Sequence, residues 1–354
     1  MKLSTFILLI FLVVSCKRKP ENILQYNFSS KGVFVINEGN YTNGNASLSF
    51  IDLEADSIVN DVFFKVNKLP LGDVAQSGVI LDSLLFLVVN NSGKIWVIDR
   101  YTGKYLSYID GLPSPRYLFI KSNKGYVSDL YSPYIDIIDV RHFCKIGKIY
   151  VGRSTEKLLF YSGCLYACNW SYGNKIYKID IATASVCDSI EVAYQPNSMV
   201  IDKNGFLWVL SDGGNMSDTS ENELPALTKI DIEHFSIDTV FYFASRRYSP
   251  FRLTIDKQGE YLYWIKGSWQ TQNDVISGIY KMSIYSHKLP NSPFIASQGK
   301  LFYGLAISPD GEIFVSDAKD YMQNGTIYRY NVNGKLISSY QAGIIPGHFV
   351  FNWQ

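Results

Sequence analysis

The sequence has little of what marks nucleic-acid-binding proteins or metalloproteins. Its 33 Lys and Arg residues nearly balance its 32 Asp and Glu residues, and the tight basic run is confined to residues 17–19. A formal net charge of +1 supplies no field that would attract a polyanion, so we expect no nucleic-acid partner. There are only four histidines, and no Cys and His set has the spacing of metal ligands. We predict no metal site.

Motifs for nucleophilic or phosphate chemistry are also lacking. The sequence has no Gly-x-Ser-x-Gly elbow and no glycine-rich phosphate cradle. Residues 154–157 fit a Ser-x-x-Lys pattern, but short strings match by chance and no helix is expected there. His142, His234 and His287 fall in predicted turns that do not converge, and His348 stands alone at the last strand. We therefore predict that the protein is not an enzyme and needs no cofactor.

The N-terminal apolar run is too short to span a bilayer. It covers residues 6–14, after Lys2, and ends in Val13-Val14-Ser15-Cys16, which resembles a bacterial lipobox. We expect residues 1–15 to be a lipoprotein signal peptide, Cys16 to be lipidated, and residues 16–31 to form a tether. Acyl chains, at about 0.8 kcal/mol per buried CH₂, would hold the protein on a membrane. An ordinary secretory signal with an incidental Cys is the alternative.

Few cysteines follow the leader. Cys164 and Cys168 lie on one predicted strand, about 13 Å apart at ~3.3 Å per residue, which is too far for a bridge. We interpret these two, together with Cys144 and Cys187, as small buried hydrophobic residues. A cross-strand disulfide in an exported protein stays open, because spacing alone assigns none.

The sequence does contain a strand pattern that recurs seven times. Each copy ends on an Ile-Asp-like marker, and neighbouring markers are 40 to 52 residues apart. The markers are Asp52, Asp99, Asp139, Asp180 and Asp231, followed by Ser283 and Asn331 in degraded copies. This interval is typical of one four-stranded sheet of a β-propeller. We predict an all-β fold over residues 32–354, a seven-bladed β-propeller of four-stranded antiparallel blades.

The two ends of the chain complete one blade in this prediction. Residues 33–36, 47–52 and 57–63 match the second, third and fourth strands of the other copies, and a first strand is missing. Residues 346–351 match a first strand that has no repeat of its own. We predict that this C-terminal strand lies beside residues 33–36 and so removes the open edge of the sheet.

Long loops are expected on one face of the propeller. They follow the second strands and share that face with the blade-to-blade crossings, where aromatic and polar residues concentrate. Such a face suits a large, partly apolar ligand, although the aromatic residues could instead cap the blade cores. The candidate ligand-binding residues are Asn37, Glu38, Asn40, Asp73, Arg116, Tyr117, Asn169, Trp170, Tyr194, Gln195, Tyr248, Trp269, Tyr303 and Asp317.

The opposite face carries tight turns such as residues 202–205. Gly205 can supply the positive φ of a hairpin turn. The segment lacks the alternating oxygen ligands and distal Glu of a calcium loop, so we interpret it as a turn.

Several strings resemble the seven-bladed YncE-like, surface-layer-type propellers. The strings are VFVINEGN (33–40), PLGDV (70–74), IWVID (95–99), AYQPNSMVI (193–201) and LWVLSDGG (207–214). They look closest to exported lipoproteins that capture cobalamin and partner a TonB-dependent transporter. The resemblance implies a high-affinity binding protein for cobalamin or another corrinoid, anchored in the outer membrane by its lipid. It implies aromatic walls for the corrin and polar residues for its amides and phosphate.

Other interpretations stay open. Surface-exported relatives carry an acidic run after the lipidated Cys, whereas residues 17–19 are basic here, so surface-exposed and periplasm-facing positions are both open. The protein could instead be an envelope interaction scaffold without a small-molecule ligand. A third interpretation is a propeller hydrolase or lyase with a metal held by Glu38, Asn169 and Asp317.

Overall fold

The computed structural model describes residues 26–214, 222–267 and 277–353. Within these ranges the chain forms 28 β-strands and one short helix, arranged as seven four-stranded antiparallel sheets around a channel. The predicted seven-bladed β-propeller is confirmed. No helix of the described ranges is long and apolar enough to cross a membrane. The expectations for Cys16 and Trp269 lie outside the described residues.

Each blade is one four-stranded sheet, and blades 2 to 7 each use four strands that are consecutive in the sequence. Blade 1 contains β1 (Gly32–Asn37), β2 (Ser47–Asp52) and β3 (Ser57–Val59), which the helix α1 (Val62–Asn67) follows. Blade 2 contains β4 (Ala75–Leu81), β5 (Leu84–Val89), β6 (Lys94–Asp99) and β7 (Tyr105–Ile109). Blade 3 contains β8 (Pro115–Lys121), β9 (Lys124–Asp129), β10 (Tyr134–Asp139) and β11 (Cys144–Tyr150). Blade 4 contains β12 (Leu158–Tyr161), β13 (Cys164–Cys168), β14 (Lys175–Asp180) and β15 (Ser185–Glu191).

The remaining strands complete the ring. Blade 5 contains β16 (Pro196–Ile201), β17 (Phe206–Ser211), β18 (Ala226–Asp231) and β19 (Ser236–Tyr242). Blade 6 contains β20 (Ser249–Ile255), β21 (Tyr261–Gly267), β22 (Gly278–Ser283) and β23 (Ile295–Ala296). Blade 7 contains β24 (Phe302–Ile307), β25 (Ile313–Asp317), β26 (Asn324–Tyr330) and β27 (Leu336–Ile344). The last strand, β28 (Pro346–Asn352), is the innermost strand of blade 1.

The pairing of β28 with β1 closes the ring as predicted. The two strands are antiparallel, with Val33 opposite Phe351 and Val35 opposite Phe349. β28 also contacts the inner strands of both neighbouring blades, β4 and β24. The ring therefore has no unpaired inner edge at the junction of the two chain ends.

Alternating side chains of the middle strands pack into the gaps between blades. In β1, Val35 packs with Phe314 of blade 7, whereas Ile36 packs with Leu87 of blade 2. The described residues form seven such apolar clusters, one in each gap. Because both faces of a middle strand are buried, its residues are apolar almost without interruption.

The repeat marker is a turn signal at the end of the third strand. Asp99 Oδ1 accepts the N–H groups of Tyr101 and Thr102, at 3.1 and 2.8 Å. Asn331 Oδ1 accepts the N–H groups of Asn333 and Lys335 in the same way, both at 3.0 Å. A side-chain oxygen two residues before a turn stabilises it, so Asn can replace Asp in the degraded copy.

The turn at residues 202–205 is confirmed. Gly205 has φ 85°. Asp202 Oδ1 accepts the N–H groups of Asn204 and Phe206, and its Oδ2 accepts the indole N–H of Trp208 at 2.8 Å. Both carboxylate oxygens are thus engaged within the hairpin.

Two sequence predictions on local structure are wrong. The fourth strand of blade 1, predicted over residues 57–63, ends at Val59, because Phe63 turns inward on α1 and packs against Trp96 at 5.0 Å between ring centroids. Only Cys168 among the four described cysteines is buried. Cys144 and Cys187 are exposed because they lie on outermost strands, and all four are free thiols.

Part of the segment assigned to the tether lies against the propeller. Phe28 is buried and donates its N–H to the Tyr101 carbonyl at 2.7 Å. Asn352 donates its side-chain NH₂ to the carbonyls of Phe28 and Ser30. These bonds hold the start of blade 1 to its closing strand.

Deleting residues 346–354 tests the closure. The truncated chain loses β28, which contributes the buried Phe349 and Val350 to two blade gaps. Losing a buried large side chain costs about 2–5 kcal/mol each, against a typical total stability of about 5–15 kcal/mol. We expect the truncated protein to show no cooperative thermal transition in near-UV circular dichroism.

The matched control is a circular permutant that restores the same residues. It begins at Pro346, and a short flexible linker joins Gln354 to Tyr26. We expect it to unfold cooperatively near the temperature of the natural chain. A truncated protein that unfolds like the natural one would contradict the closure.

Candidate functional site at the channel mouth

A cavity of about 280 Å³ lies in the channel at the face of the long loops. Its wall is made by the starts of inner strands and by residues that directly follow second strands, which lie at the same end of each blade. The wall mixes aromatic, charged and amide side chains from all seven blades. The polar and aromatic residues of the wall include Gln76, Arg116, Tyr117, Glu156, Lys157, Trp170, Asn197, Asp212, Arg252, Tyr303 and His348.

Shifts in strand register bring these side chains to the cavity. In β4 the pairing with β5 skips Gln76, and in β16 the pairing with β17 skips Asn197. The pairing of β8 likewise skips Arg116 and Tyr117. An unpaired bulge residue no longer follows the pleat, so its side chain can be aimed at a site. Arg252 in β20 is aimed by such a shift and has φ 60°.

Arg116 links three neighbouring blades. Its Nε and Nη2 donate to the two carboxylate oxygens of Glu156, both at 2.7 Å, and its Nη1 donates to Gln76 Oε1 at 2.6 Å. The side chains of Arg116 and Glu156 are only 15% and 8% exposed. A buried fork-to-fork pair of this kind fixes both groups in one geometry.

Arg252 links the opposite side of the mouth. Its Nη2 lies 3.3 Å from Glu38 Oε1, and its Nη1 donates to the Tyr117 hydroxyl at 3.0 Å. The Tyr303 hydroxyl donates to the second Glu38 oxygen at 2.8 Å. Burial raises the pKa of Glu38, although Arg252 and Tyr303 both favour its charged form. Blades 1, 3, 6 and 7 are therefore joined through one guanidinium and one carboxylate.

Asp212 is a buried carboxylate of a different kind. It accepts hydrogen bonds from Trp170 Nε1 at 3.1 Å and from the N–H of Gly214 at 3.0 Å. Burial raises the pKa of Asp212 to about 6 despite these donors. Its charge therefore changes near neutral pH.

Lys157 faces the cavity without an acidic partner. Its Nζ lies 4.8 Å from the centroid of the Tyr117 ring. In the part of the chain that the structure describes, no carboxylate lies within ion-pair distance of this ammonium. Burial, and then the nearby Arg252, lowers the pKa of Lys157. Burial, Lys157 and Arg252 lower the pKa of His348 to about 3, so that ring stays neutral.

The structure brings together a minority of the predicted site residues. Arg116, Tyr117, Trp170 and Tyr303 line the cavity, and Glu38 is bonded to two lining residues. The other described candidates lie outside the cavity wall: Asn37, Asn40, Asp73, Asn169, Tyr194, Gln195, Tyr248 and Asp317.

Several of the outlying candidates hold loops in place. Asp317 Oδ1 accepts the N–H groups of Leu301 and Lys319, both at 2.9 Å. Asn169 donates to the Ser154 carbonyl at 2.8 Å. Together with Glu38 these two were the proposed metal ligands, and each of the three has separate protein partners. Across the described ranges, no group of three Asp, Glu, His or Cys side chains is placed to hold a metal ion.

Five residues of the cavity wall were not among the predicted candidates: Gln76, Glu156, Lys157, Asn197 and Arg252. The predicted candidates come from loops and blade crossings, whereas these five lie in or directly before the inner strands. A signal existed in the spacing of the inner-strand prolines. Arg116 and Asn197 directly follow prolines, and Arg252 lies two residues after one.

The titration of Asp212 predicts a pH-dependent stability. Its folded pKa of about 6 exceeds the ordinary value of 3.8, so the folded state binds the proton more tightly. The free energy of unfolding should therefore fall as pH rises from about 4 to about 6. Asp212→Asn should remove up to about 3 kcal/mol of this fall, at about 1.4 kcal/mol per pKa unit.

Urea unfolding at several pH values between 4 and 8 measures this difference. The matched control is Asp110→Asn, at an exposed aspartate, which should follow the natural protein throughout. An Asp212→Asn curve parallel to that of the natural protein at every pH would contradict the assignment.

Solved structures share this fold. A quinonprotein alcohol dehydrogenase-like protein from Bacteroides thetaiotaomicron has TM-score 0.70 and 17% identity, covering 93% of this chain and 79% of that one. Hydrazine synthase from Kuenenia stuttgartiensis has TM-score 0.61 and 15% identity, covering 77% and 88%. A protein from Lactobacillus plantarum has TM-score 0.64 and 13% identity, covering 91% and 99%. Identities this low show a common fold alone.

No curated protein matches the sequence. A family model described as a domain of unknown function, DUF5074, matches residues 31–352. This match spans the whole propeller from β1 to β28. The chain therefore belongs to the DUF5074 family.

Proposed function

We propose that this protein is a binding protein, not an enzyme, and that it takes a large amphipathic ligand on the channel-mouth face. The observation that carries the proposal is the cavity wall, to which every blade contributes at least one residue. At about 280 Å³ the cavity is slightly smaller than usual ligand pockets, which have volumes of about 300–1,000 Å³. Only part of a large ligand would enter, and the rest would lie on the loops.

Exposed tyrosines on the same face support a large ligand. Tyr41, Tyr131 and Tyr172 are 68%, 75% and 66% exposed. Each lies in the loop that follows the second strand of its blade. Tyr offers a wide apolar surface and a hydroxyl at a small cost in side-chain entropy, which suits contact with a partner or ligand.

Cobalamin or another corrinoid is the leading ligand. This part of the proposal rests on the sequence resemblance to cobalamin-capturing lipoproteins. The corrin would lie against the loop aromatics, with Trp170 and Tyr303 at its edge. We further propose anchoring in the outer membrane through lipidated Cys16 and delivery to a TonB-dependent transporter.

Calorimetric titration with cyanocobalamin tests the ligand and its site. We expect heat and a change in the corrin absorbance at micromolar concentrations. Trp170→Ala should weaken binding roughly tenfold, since an aromatic contact contributes about 0.5–1.5 kcal/mol beyond its area. The control Tyr285→Ala removes an exposed ring from the turn that follows the third strand of blade 6, on the opposite face, and should change nothing. If there is neither heat nor a spectral change, cobalamin is not the ligand. If Trp170→Ala binds cyanocobalamin as tightly as the natural protein, the channel mouth is not its binding site.

A scaffold function is the second candidate, and the exposed tyrosines favour it too. A protein partner would cover these rings rather than fill the cavity. Replacing Tyr41, Tyr131 and Tyr172 together by Ser should then abolish co-purification of an envelope protein from detergent-solubilised membranes. Co-purification that survives this triple change would contradict docking through these loops.

A further inference from the structure

We propose that the channel cavity receives an anionic oxygen group of the ligand, a carboxylate or a phosphate, and that Lys157 is its main counter-ion. This inference rests on the proposed ligand-binding function. It specifies the chemistry of the part of the ligand that enters the channel.

The charges around the cavity do not all find partners within the protein. Arg116 forms its fork with Glu156, and Arg252 is paired with Glu38. Among the cations described in this cavity wall, Lys157 is the one without a carboxylate partner. The mouth therefore has one ammonium group that an anionic group of a ligand can pair with.

The surroundings of Lys157 give it little compensation. Its nearest aromatic neighbour is the Tyr117 ring, and a cation over a ring gains only about 0.5–2 kcal/mol. Burying an unpaired charge costs more than that. An anion that enters the cavity stabilises an ammonium held in this position. Lys157 therefore lowers the stability of the free protein and favours binding of an anionic ligand.

The nearby carboxylates are already engaged by other donors. Both oxygens of Glu156 accept from Arg116. Asp212 accepts from Trp170 and from a backbone N–H. Neither of these carboxylates therefore forms an ion pair with Lys157. Arg252 lies close enough that its charge lowers the pKa of Lys157, and the neutral His348 lines the same cavity.

The size of the cavity sets the size of the group. A water molecule occupies about 30 Å³ of liquid, so about 280 Å³ holds a carboxylate or phosphate, an adjoining ring and a few waters. Trp170 and Phe251 supply apolar walls for that ring. An aromatic acid or an aromatic phosphate is therefore a suitable probe.

Calorimetry with benzoate, phenyl phosphate and neutral benzamide tests the charge requirement. We expect one or both anions to bind the natural protein at least tenfold more tightly than benzamide. The anion with the higher affinity identifies the oxygen group. Lys157→Met should weaken anion binding at least tenfold and leave benzamide unchanged, and Lys157→Arg should retain most of the affinity.

The matched control is Lys281→Met. Lys281 also lies over an aromatic ring, 4.3 Å from the centroid of Tyr261, but it belongs to the third strand of blade 6, outside the cavity wall. We expect the Lys281→Met variant to bind the anions as tightly as the natural protein does. Thermal unfolding provides an independent readout, because removing an unpaired buried ammonium should leave the midpoint of Lys157→Met no lower than that of the natural protein.

The outcomes separate this inference from the function on which it rests. If the anions bind Lys157→Met as tightly as they bind the natural protein, or if they bind neither protein, the inference is wrong. Cyanocobalamin binding that is lost in Trp170→Ala and unchanged in Lys157→Met overturns it while keeping the mouth as a ligand site. Anion binding that depends on Lys157 supports it even where cyanocobalamin fails to bind.

Discussion

The antiparallel pairing of β28 with β1 is the constraint on which the rest of the molecule depends. It gives blade 1 an inner strand from the far end of the chain, and it lets each inner strand contact two neighbours. Only a closed ring brings Arg252 to Glu38, 214 residues away, and to Tyr117, 135 residues away. The mouth is therefore a property of the closed ring and not of any single repeat.

Two buried guanidinium–carboxylate units then shape the mouth. Buried ion pairs often cost as much in desolvation as they return in attraction, so they are weak contributors to net stability. Their value here lies in geometry, because Arg116 and Arg252 each tie three or more blades together at the channel. Lys157 and Asp212 are left outside these units, and both face the space that a ligand would occupy.

The architecture could be predicted because its signals are local. Asp99 and its equivalents mark turns that form within four residues, and their spacing gave the blade number without any tertiary information. The mouth could not be predicted in the same way. The orientation of Arg252 depends on a register shift between strands, and the helix around Phe63 depends on burial against Trp96. The lack of a carboxylate partner for Lys157 depends on charged residues from other blades.

A crystal structure of the protein purified from the cells that produce it is the most direct test of the closed ring and its ligand-binding mouth. We expect a closed seven-bladed ring with density for a bound group in the mouth cavity. An oxygen of that group should lie within hydrogen-bonding distance of Lys157 Nζ. Density for a ligand on another face, with water alone beside Lys157, would contradict it. So would a C-terminal segment that pairs anywhere other than with β1.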